Sequence, residues 1–248
     1  GINLLPWPAA RIIAFITIVV CKSVIWNQLP HRATGKQTRE DYEENHGGCE
    51  TSDNKELLGL SHVVNITEDV ITIMDIGGAS TELTRVNVKQ KAIIHSFSMP
   101  VGVVRLNNWR LAGQLQEKLQ KVFDDFADDL NLVKTEKLFC VAGTMTSVGN
   151  MYLENKEFIE HEVNGLDLPV EVLDEMIFKF KDYSPEDYLN HFPFLGKRSQ
   201  TIKSGLLLAD SVTKLLDVEK LYISTYGLRF GTLLKGKIED EFSRWKWI

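Results

Sequence analysis

Cysteine and histidine are too few and too scattered to build a disulfide framework or a zinc site. The chain of 248 residues contains 3 cysteines (Cys21, Cys49 and Cys140), with no C-x-x-C spacing. An odd number of cysteines without paired spacing is typical of a reducing compartment. The 6 histidines also lack metal-ligand spacing. We therefore expect a cytoplasmic protein without a zinc site.

Positive charge is not in excess either. The chain has 28 Lys and Arg residues against 34 Asp and Glu residues, which gives a net charge of −6. A general nucleic-acid binder carries a basic face, so this composition argues against nucleic acid as a partner. A polyanionic ligand would have to be bound at a local site made of backbone N–H groups, a metal ion and a few basic side chains.

A hydrophobic run long enough to cross a membrane is missing. Residues 12–21 are ten uncharged, mostly apolar residues between Arg11 and Lys22, whereas a spanning helix needs about 20 residues. The run matches the length of a signal-peptide core, but no cleavage site of small residues follows it. Its β-branched residues favour a buried strand over a targeting segment. We expect no membrane partner.

The most informative stretch is residues 70–83, which combine a buried strand with a glycine-rich turn. Residues 70–74 read as a strand that ends at Asp75, and a turn over residues 77–81 leads through Glu82 into a second strand over residues 83–88. Glycines allow main-chain N–H groups to approach an anion, and a carboxylate on each side of the turn suits a divalent cation. The alternative is an ordinary glycine-rich hairpin.

The remaining pattern predicts an α/β fold. We expect strands over residues 92–97, 137–142 and 220–224, and helices over residues 55–64, 115–130, 169–180 and 201–216. Ser184 and Pro185 predict a capped helix start. Residues 27–54 read as a polar loop or linker. Four acids near the end of the 115–130 helix indicate a solvated face rather than a metal site: Asp124, Asp125, Asp128 and Asp129.

A second small-residue turn follows the strand over residues 137–142. It contains Gly143, Thr144, Thr146 and Ser147 and leads into a helix. Free N–H groups at a helix N-terminus make a natural anion site. The alternative is a Ser/Thr cap of that helix.

Four collinear segments resemble one known family. Asp-Ile-Gly-Gly-Ala-Ser-Thr-Glu-Leu, from Asp75, resembles the second phosphate loop (DIGGGSTEL) of the exopolyphosphatase/guanosine-pentaphosphate phosphohydrolase (Ppx/GppA) family, with Ala79 for the third glycine. The segment at Gly143 is similar to the family's GGTATT segment, with Ala142 for the first glycine. Residues 198–205 and 227–231 resemble two later family segments. The resemblance covers residues 63–234.

The resemblance implies an actin-like, ribonuclease-H-like α/β fold of two lobes. Residues 1–69 would be a remnant of the first lobe and a linker, residues 70–240 a complete second phosphate-binding lobe, and residues 241–248 a tail. It also implies Mg²⁺-dependent release of the terminal phosphate of polyphosphate or guanosine pentaphosphate, and a possible homodimer. The family's first phosphate loop has no counterpart in residues 1–60. The alternative is therefore a non-catalytic polyphosphate- or nucleotide-binding remnant.

The resemblance also implies roles for individual residues. Asp75 and Glu82 would hold the metal or the water, and Glu56 is the candidate for the catalytic base, with a surface glutamate as its alternative reading. The residues expected to contact phosphate are Gly77, Gly78, Ser80, Thr81, Gly143, Thr144 and Arg198. For Arg198 the alternative is a surface ion pair.

Overall fold

The computed structural model describes residues 68–90 and 92–225 of the chain. Within these ranges lies one mixed sheet of six strands in the order β3-β2-β1-β4-β6-β5. Strands β1, β4 and β6 run parallel, and β2, β3 and β5 are antiparallel to their neighbours. The strands are β1 (Val70–Ile76), β2 (Thr81–Asn87), β3 (Ala92–Met99), β4 (Lys137–Val141), β5 (Leu166–Pro169) and β6 (Lys220–Ile223).

Helices connect the strands and pack on the sheet. They are α1 (Val103–Leu111), α2 (Leu115–Asp125), α3 (Ala127–Leu132), α4 (Ala142–Tyr152), α5 (Glu160–Val163), α6 (Val172–Lys179), α7 (Pro185–His191), a 3-10 helix (Pro193–Gln200) and α8 (Ile202–Leu215). None of the helices in the described ranges is both long and apolar enough to span a bilayer.

Strand β1 is buried on both faces, which explains its largely apolar sequence. Met74 and Ile76 belong to the hydrophobic cluster that the sheet shares with the helices. Ile71 and Ile73 alternate with them and are 2% and 3% exposed. A central strand flanked by a parallel neighbour reads as an unbroken apolar run for this reason. The strand predicted over residues 70–74 is confirmed, and it continues to Ile76.

Helix α8 is the central helix of the layer, and it packs against α1, α4 and α6. Its closest approach is at Gly205, where a Cβ atom would lie 2.7 Å from Cγ2 of Thr144 at the start of α4. A larger residue at this position would push α8 away from α4. The contact therefore fixes the distance between α8 and the turn that begins α4.

Two predicted helices differ from the structure. The apolar period over residues 115–130 suggests one helix, but the chain leaves helical geometry at Phe126 (φ −116°) and forms α2 and α3. At the break the Phe126 ring stacks on Phe97 of β3 with centroids 5.8 Å apart, so tertiary packing overrides the periodicity. The helix predicted from residue 169 begins at Val172, because residues up to Pro169 pair with β6 as β5.

Other local predictions are confirmed. Ser184 caps α7 by accepting a hydrogen bond from the Asp187 N–H, and Asp187 completes a capping box. The acids at the end of α2 and in α3 are exposed or half-buried, and Asp129 pairs with His95 at 2.7 Å. The predictions for residues 12–21, 27–54, 55–64 and 227–231 lie outside the described residues.

The two alanines that stand where the family pattern has glycine differ in backbone conformation. Ala142 has φ +64°, in the left-handed region, whereas Ala79 is not among the described non-glycine residues with positive φ. A Cβ atom costs about 1–2 kcal/mol in the left-handed region. Alanine at position 142 is therefore strained, and alanine at position 79 is not.

We predict that Ala142→Gly raises the free energy of unfolding by about 1 kcal/mol, because glycine adopts the left-handed conformation without a Cβ clash. This corresponds to about 2–4 °C in Tm for a chain of this size. Chemical denaturation measures the change. The matched control is Ala79→Gly, which should be neutral or destabilising. Equal effects of the two substitutions would contradict the prediction.

Candidate functional site

The candidate site lies where β1 and β4 end. The two strands are parallel neighbours, with Asp75 paired to Val141, so their carboxyl ends meet at one edge of the sheet. This edge is where α/β folds bind ligands. The loop of residues 77–80 and the turn of residues 142–144 lie there on either side of a pocket of about 330 Å³. The pocket is lined by Ile76, Gly77, Gly78, Val103, Val104, Ala142, Gly143, Thr144, Arg198, Thr201 and Ile202.

The 77–80 loop is held by the N-terminus of α1. The Val103 N–H donates to the Gly77 carbonyl at 2.9 Å, and the Val104 N–H donates to the Gly78 carbonyl at 2.9 Å. The first amides of a helix have no partner within the helix, so the loop carbonyls satisfy them. Within the loop, the Gly77 N–H donates to the Ser80 carbonyl at 3.0 Å.

This arrangement sets the direction of the loop amides. In a trans peptide unit the N–H points opposite to the C=O. With the carbonyls of Gly77 and Gly78 directed at α1, the N–H groups of Gly78 and Ala79 point away from it. Among residues 68–90 and 92–225, no backbone carbonyl accepts a hydrogen bond from the N–H groups of Gly78, Ala79 or Ser80. The loop therefore presents unpaired donors that suit an anion.

Gly102 makes this close approach possible, and the sequence analysis missed it. A Cβ atom at position 102 would lie 2.5 Å from the Gly77 oxygen and 2.6 Å from the Ser80 nitrogen. These are backbone atoms that cannot rotate away. The available signal was a glycine just before a helix and two residues after Pro100, which by itself reads only as a helix start.

Two threonine hydroxyls in the site bind the protein's own backbone. Thr81 is fully buried, and its hydroxyl donates to the Val101 carbonyl at 2.7 Å. The hydroxyl of Thr144 donates to the Ile76 carbonyl at 2.8 Å and so joins the end of β1 to the start of α4. Both hydroxyls hold the loops in place. The predicted phosphate contacts of Thr81 and Thr144 stay predictions.

The 142–144 turn begins α4 without a side-chain cap. Its N-cap residue is Val141. The hydroxyls of Thr146 and Ser147 donate back to the carbonyls of Ala142 and Gly143 at 3.0 and 2.6 Å, so the alternative of a Ser/Thr cap is wrong. The first amides of α4 are open to an external acceptor, and the positive end of the helix dipole lies there.

Arg198 supplies positive charge beside the turn. Its guanidinium lies so close to Gly143 that a Cβ atom there would be 2.5 Å from Nη2. Arg198 is exposed, and none of the described carboxylates forms an ion pair with it. A surface ion pair, the alternative reading, is not found in the part of the chain that the structure describes.

Asp75 and Glu82 form a carboxylate pair on the other side of the strand end. They are directly opposite each other in the β1–β2 ladder, where Cβ atoms lie about 5 Å apart. Glu82 is 8% exposed, and its Oε1 accepts a hydrogen bond from the Ser98 hydroxyl at 2.8 Å. Burial and the negative charge of Glu82 raise the pKa of Asp75 from its ordinary value of 3.8 to about 6.

The pair fits a magnesium ion. Mg²⁺ prefers oxygen ligands, and proteins usually supply one or two carboxylates while water and phosphate complete the shell. Two facing carboxylates whose repulsion raises a pKa would be stabilised by a divalent cation. In the described ranges no cluster of three or more His, Cys, Asp or Glu side chains could hold a metal. Asp75 and Glu82 are the two carboxylates beside the 77–80 loop that would hold such an ion.

The structure brings some of the predicted site residues together and not others. Gly77, Gly78, Gly143, Thr144 and Arg198 line one pocket. Asp75 and Glu82 lie beside the 77–80 loop, but they do not line that pocket, and neither do Ser80 and Thr81. Asp75 alternates with Ile76 along β1, so the carboxylates and the helical core are on opposite faces of the sheet. Glu56 lies outside the described residues.

The mixed six-stranded sheet and its packed helices define an α/β fold, with two glycine-containing turns that meet at one pocket. The chain belongs to the Ppx/GppA phosphatase family, whose family model matches residues 55–238. The family and the fold class expected from the sequence are confirmed.

Solved structures show the same fold. The Ppx/GppA phosphatase of Aquifex aeolicus (type II variant) has 20% identity and a TM-score of 0.58, over 73% of this chain and 61% of that one. An exopolyphosphatase from Cytophaga hutchinsonii has 19% identity and a TM-score of 0.60, over 74% and 63%. An exopolyphosphatase-like protein has 19% identity and a TM-score of 0.58, over 92% and 82%.

The chain spans about 60% of the length of the first solved structures that it matches. At these identities the likeness shows the fold alone. No curated protein matches the chain.

We predict that Gly102→Ala lowers the free energy of unfolding by about 2–3 kcal/mol, because its Cβ would force the 77–80 loop away from α1. Gly78→Ala is the matched control, since its Cβ would meet only Cγ2 of Val104 at an ordinary 3.6 Å. We expect it to change stability by less than about 1 kcal/mol. Urea denaturation of both variants tests this, and a Gly102→Ala protein as stable as Gly78→Ala would contradict it.

We predict a pH-dependent effect of Asp75→Asn on stability in the absence of divalent cations. Since the folded-state pKa of Asp75 is raised to about 6, its contribution to stability is present below about pH 4 and is lost as the pH rises through about 6. An asparagine side chain does not titrate, so the variant should be more stable than wild type at pH 7.5, by about 1–3 kcal/mol. The difference should vanish near pH 4.

Denaturant midpoints across this pH range measure the effect. Asp182→Asn, at an exposed position, is the control and should run parallel to wild type. If the stability of Asp75→Asn and of wild type changed with pH in parallel, the pKa of Asp75 would not be raised in the folded state.

Proposed function

We propose that the chain is a phosphoanhydride hydrolase that releases the terminal phosphate of inorganic polyphosphate or guanosine pentaphosphate. The observation that carries this proposal is that the 77–80 loop, in which no described carbonyl accepts from the amides of Gly78, Ala79 and Ser80, meets the 142–144 turn at one pocket, with a pair of acidic side chains beside the loop. Membership of the Ppx/GppA phosphatase family supports it.

The pocket supplies the means to hold a phosphate chain on an acidic protein. The amides of Gly78, Ala79 and Ser80 would contact one phosphate, and those of Gly143 and Thr144 a neighbouring one. Arg198 would add a charged donor, which is roughly twice as strong as a neutral one. Because these donors are local, binding requires no overall positive charge, which agrees with the net charge of −6.

The carboxylates supply the reactive part of the site. Asp75 and Glu82 would hold Mg²⁺, and a bound Mg²⁺ would neutralise charge on the transferring phosphoryl group and orient the attacking water. The second carboxylate oxygen of Glu82 is free for this role in the described part of the chain, since Ser98 binds Oε1. Glu56 is the proposed base that takes the proton of the attacking water.

The proposed division of the chain follows from these roles. In this proposal residues 70–240 are the second phosphate-binding lobe, residues 1–69 are a remnant of the first lobe and a linker, and residues 241–248 are a tail. Cys140 is a free, buried thiol, which supports the cytoplasm as the proposed location. A homodimer is the proposed assembly.

A non-catalytic phosphate-binding protein is the second candidate. It is favoured by one observation: Gly78, Gly143, Thr144 and Arg198 line the pocket, whereas Asp75 and Glu82 do not. Such a protein would retain polyphosphate or a nucleotide without cleaving it.

We predict that wild type releases phosphate from long-chain polyphosphate or guanosine pentaphosphate in the presence of Mg²⁺. Asp75→Asn and Glu82→Gln should each lower kcat by about 100-fold or more, because each removes a ligand of the metal. Arg198→Ala should raise KM by about tenfold, because it removes a charged hydrogen bond to phosphate. Steady-state phosphate assays measure all three.

The control is Arg85→Ala. Arg85 donates to the Lys134 carbonyl at the opposite end of the sheet, so kcat and KM should stay near wild type. Polyphosphate binding by folded wild type, weakened by Arg198→Ala but without phosphate release, would favour the second candidate. If folded wild type neither binds polyphosphate nor releases phosphate, both candidate functions are contradicted.

A further inference from the structure

Three neighbouring strands place three polar side chains in one row. Asp75 of β1 is paired with Glu82 of β2, and Glu82 is paired with Ser98 of β3. Directly paired residues in a sheet project to the same face with Cβ atoms about 5 Å apart. The order across this face of the sheet is therefore Asp75, Glu82, Ser98, and Ser98 is the direct neighbour of Glu82.

Ser98 is the donor that satisfies the buried carboxylate. Glu82 is 8% exposed, and a buried charge without a hydrogen bond is unfavourable. The Ser98 hydroxyl donates to Oε1 of Glu82 at 2.8 Å. Among residues 68–90 and 92–225, no other group donates a hydrogen bond to this carboxylate. The bond therefore fixes the rotation of the carboxylate and leaves Oε2 as the oxygen without a donor.

The end of β3 is itself held firmly. Phe97 and Met99, on either side of Ser98, are 5% and 0% exposed. The chain then turns at Val101, whose N–H donates to the Met99 carbonyl at 2.8 Å and whose carbonyl accepts the Thr81 hydroxyl at 2.7 Å. Ser98 is thus attached to the same backbone that anchors the start of β2. A donor on a rigid strand holds its acceptor in one orientation.

We propose that Ser98 is a positioning residue, which holds the Glu82 carboxylate in the orientation that binds Mg²⁺ together with Asp75. This rests on the proposed function for the metal role of the pair. Ser98 does not touch the substrate or the metal. It acts through Glu82, by the hydrogen bond that its hydroxyl donates to Oε1.

The test is Mg²⁺ affinity, measured by titration calorimetry on the full chain without substrate. Ser98→Ala should weaken Mg²⁺ binding by about tenfold, in line with the loss of one hydrogen bond to a charged group. Ser98→Thr should restore it, since threonine keeps the hydroxyl and suits a strand. The circular dichroism spectrum and Tm of each variant establish that it is folded.

Ser96→Ala is the matched control. Ser96 lies on the same face of β3, and its hydroxyl bonds the Thr84 hydroxyl at 2.8 Å, whereas the hydroxyl of Ser98 bonds a carboxylate. The substitution removes the same atom from the same strand, two pairs along the ladder from Glu82. Its Mg²⁺ affinity should stay within about twofold of wild type.

Activity adds a second readout. In polyphosphate hydrolysis, Ser98→Ala should lower kcat by about tenfold and leave KM within about twofold, because the pocket amides and Arg198 are unchanged. A merely structural defect would raise KM as well. Ser98→Thr should return kcat to near the wild-type value.

The outcomes separate this proposal from the proposed function. Four results would each overturn the role of Ser98. The Mg²⁺ affinity could be unchanged in Ser98→Ala, or Ser98→Thr could fail to restore it. Ser96→Ala could lose as much affinity as Ser98→Ala, or wild type could bind no Mg²⁺ at all. If wild type binds Mg²⁺ and Ser98→Ala weakens it but no phosphate is released, the role of Ser98 stands and the hydrolase proposal fails.

Discussion

The hydrogen bonds from the first amides of α1 to the carbonyls of Gly77 and Gly78 are the interaction on which the rest of the site depends. They satisfy a helix terminus that would otherwise need solvent or a side chain, and they turn the opposite edge of the loop into a row of donors. Gly102 allows the approach, and α8 holds α1 from the other side. The direction of the loop amides is therefore a consequence of how α1 is packed, rather than a property of the glycines alone.

The hydrogen-bond donors and the acidic groups of the site lie on different faces of the sheet. Donors and a guanidinium lie on the side of the pocket, and two carboxylates lie on the opposite face, separated only by the alternation of side chains at the end of β1. Burial and the neighbouring charge of Glu82 raise the pKa of Asp75 at this point, and a bound cation would offset both effects.

Local patterns predicted the parts of the fold that local forces decide. The apolar run of β1, the glycine-rich turn after it and the cap at Ser184 all follow from neighbouring residues, and the structure has them. What the sequence could not show depends on contacts between distant residues. The break at Phe126 follows from packing on Phe97, β5 exists because β6 is beside it, and the pairing of Ser98 with Glu82 requires the register of the sheet. Gly102 is recognisable as important only when the backbone atoms of the 77–80 loop are placed against it.

The left-handed backbone of Ala142 has a consequence for ligand binding. Glycine at this position would sample several backbone conformations, and a phosphate would have to select one of them. Alanine has a smaller range of backbone φ/ψ angles. Once folding has placed Ala142 in the left-handed region, the turn therefore has little conformational entropy left to lose on binding. The entropy of ordering this turn is then lost during folding, so that the amides of Gly143 and Thr144 would already be aligned for an anionic ligand before it binds.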